Sequence, residues 1–133
     1  MLFRALINRL LARGKVESVA ILDLEGNVLI RSENLDLSQR DVRTILSALK
    51  AGERTSAAIS LMKIPLRDTA FTCMFQAASN GLPGPLVGRA DDLMFAAVKT
   101  SKCVVIGFSD LESPGSCIYE ISEMGRVLEL RSR

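Results

Sequence analysis

The sequence predicts an α+β fold: one central antiparallel sheet of about five to seven strands, with the N- and C-terminal helices free to lie on one face. Three observations lead there. Apolar residues recur at helical spacing at both ends of the chain and once between. The intervening segments are short strand-like runs, and nearly every connection between them is too short for anything but antiparallel pairing. At 133 residues with 48% hydrophobic side chains, the chain can bury the core of one domain, so residues 1–133 are read as a single unit.

Phe3, Leu6, Ile7, Leu10 and Leu11 follow the i, i+3, i+4, i+7, i+8 pattern, which predicts a helix over 2–13 closed by Gly14. ESVAILDL and NVLIRS, separated by Glu25, Gly26 and Asn27, predict a hairpin over about 17–32. Ser38 followed by Asp41 is a capping-box variant. With Val42, Ile45, Leu46 and Leu49 behind it and Gly52 beyond its end, it opens a second helix over about 39–50.

SAAISLMKI and TAFTCMFQA then form strands joined through Pro65–Asp68. SNGLPGPLVGRADD, with its glycines and prolines, reads as a loop with a short strand at Leu86 and Val87. LMFAAV, the turn KTSK and CVVIGF make a clear hairpin. Ser113 and Pro114 open a last helix that buries Cys117, Ile121, Met124 and Leu128.

Several functional classes drop out. No apolar run approaches the roughly 20 residues of a membrane span, and the arginines inside MLFRALINRLLARG do not suit a secretory signal, so a soluble, cytoplasmic chain is expected. Cys73, Cys103 and Cys117 are widely spaced and read as reduced core residues. The chain has no histidine, which removes the usual general base and the commonest metal ligand. No enzyme activity, cofactor or metal is therefore expected. A net charge of +2 with one tyrosine and five phenylalanines does not point to nucleic acid. Gly81, Gly84 and Gly88 lack the lysine of a phosphate loop, and the pair Asp91 and Asp92 would point to opposite faces of a strand.

The order of elements and three strings, ALINRLLARGKVESVAILDLEGNVL, VKTSKCVVIGF and SCIYEISEMGRVLEL, resemble the profilin family over essentially the full length. SQRDVRTILSAL is most similar to the divergent fourth isoform of vertebrates, and the match is weakest across 76–92. The resemblance implies that the N- and C-terminal helices pack together on one face of the sheet. It also implies a monomeric actin-binding adaptor associated with the cytoskeleton, with two working surfaces.

One implied surface is a groove between the terminal helices for proline-rich peptides, where rigid polyproline docks on aromatic rings. Matching positions here are Phe3, Leu6, Leu29, Met124 and Val127, a set with one aromatic ring, so weak or absent polyproline binding is expected. The other is an actin-monomer face, matched by Thr72, Phe75, Ala77, Arg89, Ser116, Tyr119 and Glu120. Basic residues that profilins often carry are replaced at Thr72, Ala77 and Ser116, which implies slower, weaker association.

Charge alone suggests a third surface. Arg9, Arg13, Arg126 and Arg131 would share one side if the terminal helices are neighbours, and could meet an anionic membrane; the resemblance to profilins, which bind phosphoinositides, implies that lipid class. A dimerising scaffold of roadblock or longin type is a further alternative.

Overall fold

The computed structural model describes residues 2–54, 62–76 and 84–131. The chain runs α1 (Leu2–Ala12), β1 (Ser18–Asp23), β2 (Val28–Arg31), α2 (Gln39–Arg54), β3 (Met62–Leu66), β4 (Thr69–Phe75), β5 (Leu86–Ala90), β6 (Leu93–Lys99), β7 (Cys103–Asp110) and α3 (Pro114–Arg131). All seven strands form one antiparallel sheet in the order β2-β1-β7-β6-β5-β4-β3.

Strand alternation divides the buried side chains between two faces. Val19, Ile21, Met94, Ala96, Val98 and Val105 turn to one side, where Ile7 and Leu10 of α1 and Cys117, Ile121 and Leu128 of α3 cover them. Here α1 lies over β1 and β2, and α3 over β6 and β7. Ala20, Leu22, Phe71, Cys73, Phe95, Val104, Ile106 and Phe108 turn to the other side, closed by Val42, Ile45, Ala48 and Leu49 of α2. The terminal helices thus share a face as expected, and α2 takes the opposite one.

Local chemistry explains most boundaries. Gly14 and Gly26 carry φ of 75° and 97°, the left-handed region in which glycine ends α1 and turns the first hairpin. Asp23 accepts hydrogen bonds from the Asn27 and Glu25 backbone N–H groups and from the Asn27 amide, holding its carboxyl below the usual range. The capping box at α2 is reciprocal: Asp41 N–H donates to Ser38 Oγ at 3.0 Å and Ser38 N–H to Asp41 Oδ2 at 3.1 Å. In the β6–β7 turn, buried Thr100 Oγ1 accepts from the Lys102 and Cys103 backbone N–H groups.

Four expectations need correction. Gly52 does not lie beyond α2, which runs on to Arg54. Pro65 belongs to β3, and the connection to β4 is only Arg67–Asp68, both at positive φ (52° and 63°), as a two-residue hairpin of primed type demands. Neither is glycine. Tertiary contacts hold the turn instead: Arg67 N–H donates to Asp41 Oδ1 at 3.1 Å, and its guanidinium lies 5.2 Å from the centre of the Phe108 ring. The region read as a loop with a two-residue strand contains a full five-residue strand, β5, between β4 and β6. Lys99 belongs to β6, which narrows the KTSK turn to three residues. The SAAIS part of its strand and the SNGLP part of its loop lie outside the described residues.

Pro65 also protects an edge. Leu66 pairs with Thr69 across the tight turn, so alternation puts Pro65 and Lys63 at positions whose backbone faces outward from β3. A proline there removes one donor from an otherwise open strand edge.

Cys73, Cys103 and Cys117 are free and buried. Burial pushes the Cys73 thiol up to about 11 and that of Cys117 to about 12, with Glu17 adding to the latter. Burial also raises Cys103, opposed by its Thr100 hydrogen bond and reinforced by Glu129. Since the fold holds the neutral thiols, this contribution is complete below the ordinary value of 9.0 and fades as pH rises through the folded values. At neutral pH the native chain should therefore react with a thiol reagent only as fast as it opens, and fully in denaturant. Immediate titration of all three in the native state would contradict this burial.

Candidate functional site

Three surfaces stand out, and each departs from its sequence expectation in one respect. On the face covered by the terminal helices, α3 ends its coverage near β6, leaving β4 and β5 open beside it. Thr72 and Arg89, cross-strand partners on β4 and β5, are exposed there. With Met74, Gln76, Val87 and Leu111 they line an open cleft of about 530 Å³. On α3, Tyr119 is 64% exposed and Ser116 half-buried.

Two expected members of this surface are elsewhere. Phe75 is three residues from Thr72, so strand alternation turns it to the α2 side, where it packs on the core. Glu120 is 8% exposed and accepts from Arg13 Nη1 at 2.8 Å, tying the end of α1 to α3. Ala77 lies outside the described residues. Met74 and Gln76 were missed by sequence reasoning, though counting in twos from Thr72 reaches both.

A second groove runs between α1 and β2 rather than between the terminal helices. Phe3, Ala5, Asn8, Val28, Leu29 and Ile30 line it, with Arg4, Arg31 and Glu33 at its margins. Leu29 is 46% exposed and Val28 39%, leaving a strip of open apolar surface. Of the five expected groove residues, the structure brings Phe3 and Leu29 together. Leu6 packs partly against the core, Val127 is half-buried away from the groove, and Met124 is core, 7% exposed beside Cys117 and Ile121. The apolar stripe of the last helix had already placed Met124 on its buried face, and the family alignment overrode that count.

The arginine side is half as free as the sequence suggested. Arg13 is committed to Glu120, and Arg126 bonds to Glu123 one turn earlier, which lowers the Glu123 carboxyl and raises the guanidinium. Arg9 and Arg131 are exposed. Among the described residues no group of three His, Cys, Asp or Glu side chains could hold a metal ion, and no helix is long and apolar enough to cross a membrane.

Comparison with known proteins agrees with this architecture. The chain superimposes on profilin IA of Acanthamoeba castellanii with a TM-score of 0.75 at 18% identity, covering 97% of this chain and 98% of that one. LokiProfilin1, solved in complex with rabbit actin, gives 0.72 at 12% identity, covering 96% and 94%. Mouse profilin IIa, solved with a double repeat from the FH1 domain of mDia1, gives 0.68 at 12%, covering 98% and 99%. No curated protein matches the chain. The family model for profilin matches residues 1–132, and with the sheet order and helix placement described above, the chain belongs to the profilin family.

Proposed function

We propose that this chain is a single-domain, non-catalytic regulator of actin assembly in the cytoplasm, a divergent profilin akin to the fourth vertebrate isoform, which binds actin monomers with reduced affinity. The supporting observation is the open surface of β4 and β5 beside α3, where Thr72, Arg89, Ser116 and exposed Tyr119 remain available to a partner. Structural relatives of the same fold were solved in complex with rabbit actin.

Reduced affinity has a physical basis in the same cleft. Among the described residues that line it, Arg89 is the one cation and Asp91 lies beside it, so the field that would steer an acidic partner is thin. Glu120, spent on Arg13, is unavailable to a partner. For proline-rich peptides the groove offers Phe3 as its aromatic ring, too little to hold a polyproline helix firmly.

Spontaneous assembly of pyrene-labelled actin is the direct test. Excess protein should lengthen the lag, and Arg89→Glu with Tyr119→Ala should remove most of the effect. An unchanged lag and plateau with the unaltered chain would sink the proposal.

A second reading, a peripheral phosphoinositide adaptor, draws support from exposed Arg9 and Arg131 on the terminal helices. It rests on fewer charges than the sequence promised, since Arg13 and Arg126 are already paired.

A further inference from the structure

Ser113 stands where β7 hands over to α3, and neither reading uses it. It precedes Pro114, and no other serine or threonine of the chain is followed by proline. The proline ring keeps the residue before it extended, the shape in which a kinase cleft reads a substrate, and brings no N–H that such a cleft would have to satisfy. The Ser113 hydroxyl is idle. The Ser116 and Cys117 backbone N–H groups donate to the Ser113 carbonyl, at 3.1 and 3.3 Å, and among the described residues nothing bonds to Ser113 Oγ. Around it the surface is open: Glu112 and Gly115 are exposed, and a Cβ on Gly115 would meet free space. That glycine also weakens the first turn of α3, so this turn opens more readily than the rest of the helix.

We propose that Ser113 is a phosphoacceptor for a proline-directed protein kinase, and that its phosphate turns down the actin-monomer face; this second half rests on the function proposed above. In the transfer Ser113 Oγ attacks the γ-phosphorus of ATP, the new O–P bond forming as the bond to the β–γ bridging oxygen breaks. ADP leaves, and the hydroxyl proton passes to the kinase's catalytic aspartate. The phosphate carries about −1.5 to −2 charges at neutral pH. From Cys103 to Gly125 the chain has no Lys or Arg to absorb them, whereas Asp110 and Glu112 lie in the same stretch as Ser113. Leu111, two residues earlier, lines the cleft with Arg89, and Ser116 and Tyr119 follow within two turns of α3. The added charge therefore opposes Arg89 in steering an acidic partner. The helix tolerates it, because α3 has no acid in its first turn and an anion at that end suits the dipole.

The full chain, incubated with ATP and a cyclin-dependent or mitogen-activated kinase, should take up one phosphate, mapped by fragmentation mass spectrometry to Ser113. Ser113→Ala should abolish the uptake. Pro114→Ala keeps the hydroxyl and should slow it by about tenfold or more. Both substitutions lie on an open turn and should leave the native circular dichroism unchanged. In pyrene-actin assembly the phosphorylated chain should need about tenfold more protein for the same lag, a gap that narrows as salt rises. Kinase-treated Ser113→Ala should match the untreated chain. Phosphate on another residue, or uptake that ignores both substitutions, overturns the phosphoacceptor; equal lags from phosphorylated and unphosphorylated chains overturn its effect on actin. If the unaltered chain leaves actin assembly unchanged, the actin reading and this effect fall together, while the mass spectrum still decides the phosphoacceptor.

Discussion

Phe95→Ala should cost about 3–5 kcal/mol, with a fall in Tm on the order of 10–20 °C in thermal unfolding. Phe95 is fully buried at the centre of the α2-side core. Its ring meets Phe71 edge-on at 5.1 Å between centroids and tilts against Phe108 at 5.8 Å. Phe71 lies two strands away, and the rings touch only because the strand between them carries Gly88 directly opposite Phe95. A Cβ on Gly88 would fall 2.2 Å from Phe95 Cε2 and 2.8 Å from two more ring atoms. A ring wedged between two others cannot swing aside as the end of a flexible chain can, so Gly88→Ala should cost about 1–3 kcal/mol alone.

The two substitutions should not add. With the ring gone, the methyl at position 88 fills part of the cavity, so the Gly88→Ala, Phe95→Ala pair should lose less than the sum of the singles. Denaturant unfolding of the four chains measures this, and strict additivity would show that the ring and the glycine backbone do not compete for one space.

Arg13→Glu is the second substitution with a large expected effect, a loss of about 2 kcal/mol. Removing one partner of a buried pair leaves an uncompensated charge at a cost of roughly 3–5 kcal/mol. That figure is discounted here because the Arg13 side chain is 51% exposed, whereas that of Glu120 is only 10% exposed. Two carboxylates would then face each other where α1 ends against α3. Exchanging the pair, Arg13→Glu with Glu120→Arg, should recover most of the loss in urea unfolding. If the exchange recovers nothing, the bond between these helices contributes through something other than charge. The same single variant also separates functions, because it loosens α1 without touching Thr72, Arg89 or Tyr119.

Legibility of the surfaces followed the range of the interactions behind them. Thr72 was readable because its exposure follows from strand alternation, whereas Arg89 came from the family alignment, its segment having been read as loop beyond Val87. Phe75 could have been excluded by the same count, and the family alignment overrode it. Glu120 and Arg13 could not be paired from the sequence, since 107 residues separate them and only the packing of α3 against the turn after α1 brings them together.

Local sequence by itself determined the existence of the three helices, the β1–β2 and β6–β7 hairpins, the close of α1 and the start of α2. Apolar period, the Ser38–Asp41 box and the glycines at positions 14 and 26 each act within a few residues, so their signals survive in a linear text. Tertiary structure alone decided the layers. Amphipathic stripes say that α1, α2 and α3 each bury a face, but not which side of the sheet receives it. Strand order settled that, by placing Ile64 and Phe71 beneath α2 and Val19 and Val98 beneath the terminal helices. The same packing held Arg67 and Asp68 in a left-handed turn that local propensity disfavours, withdrew Glu120 from the surface, and left Arg40 and Arg43 of α2 facing solvent. Each of these depends on contacts between segments far apart in the chain, whose energies a local pattern does not carry.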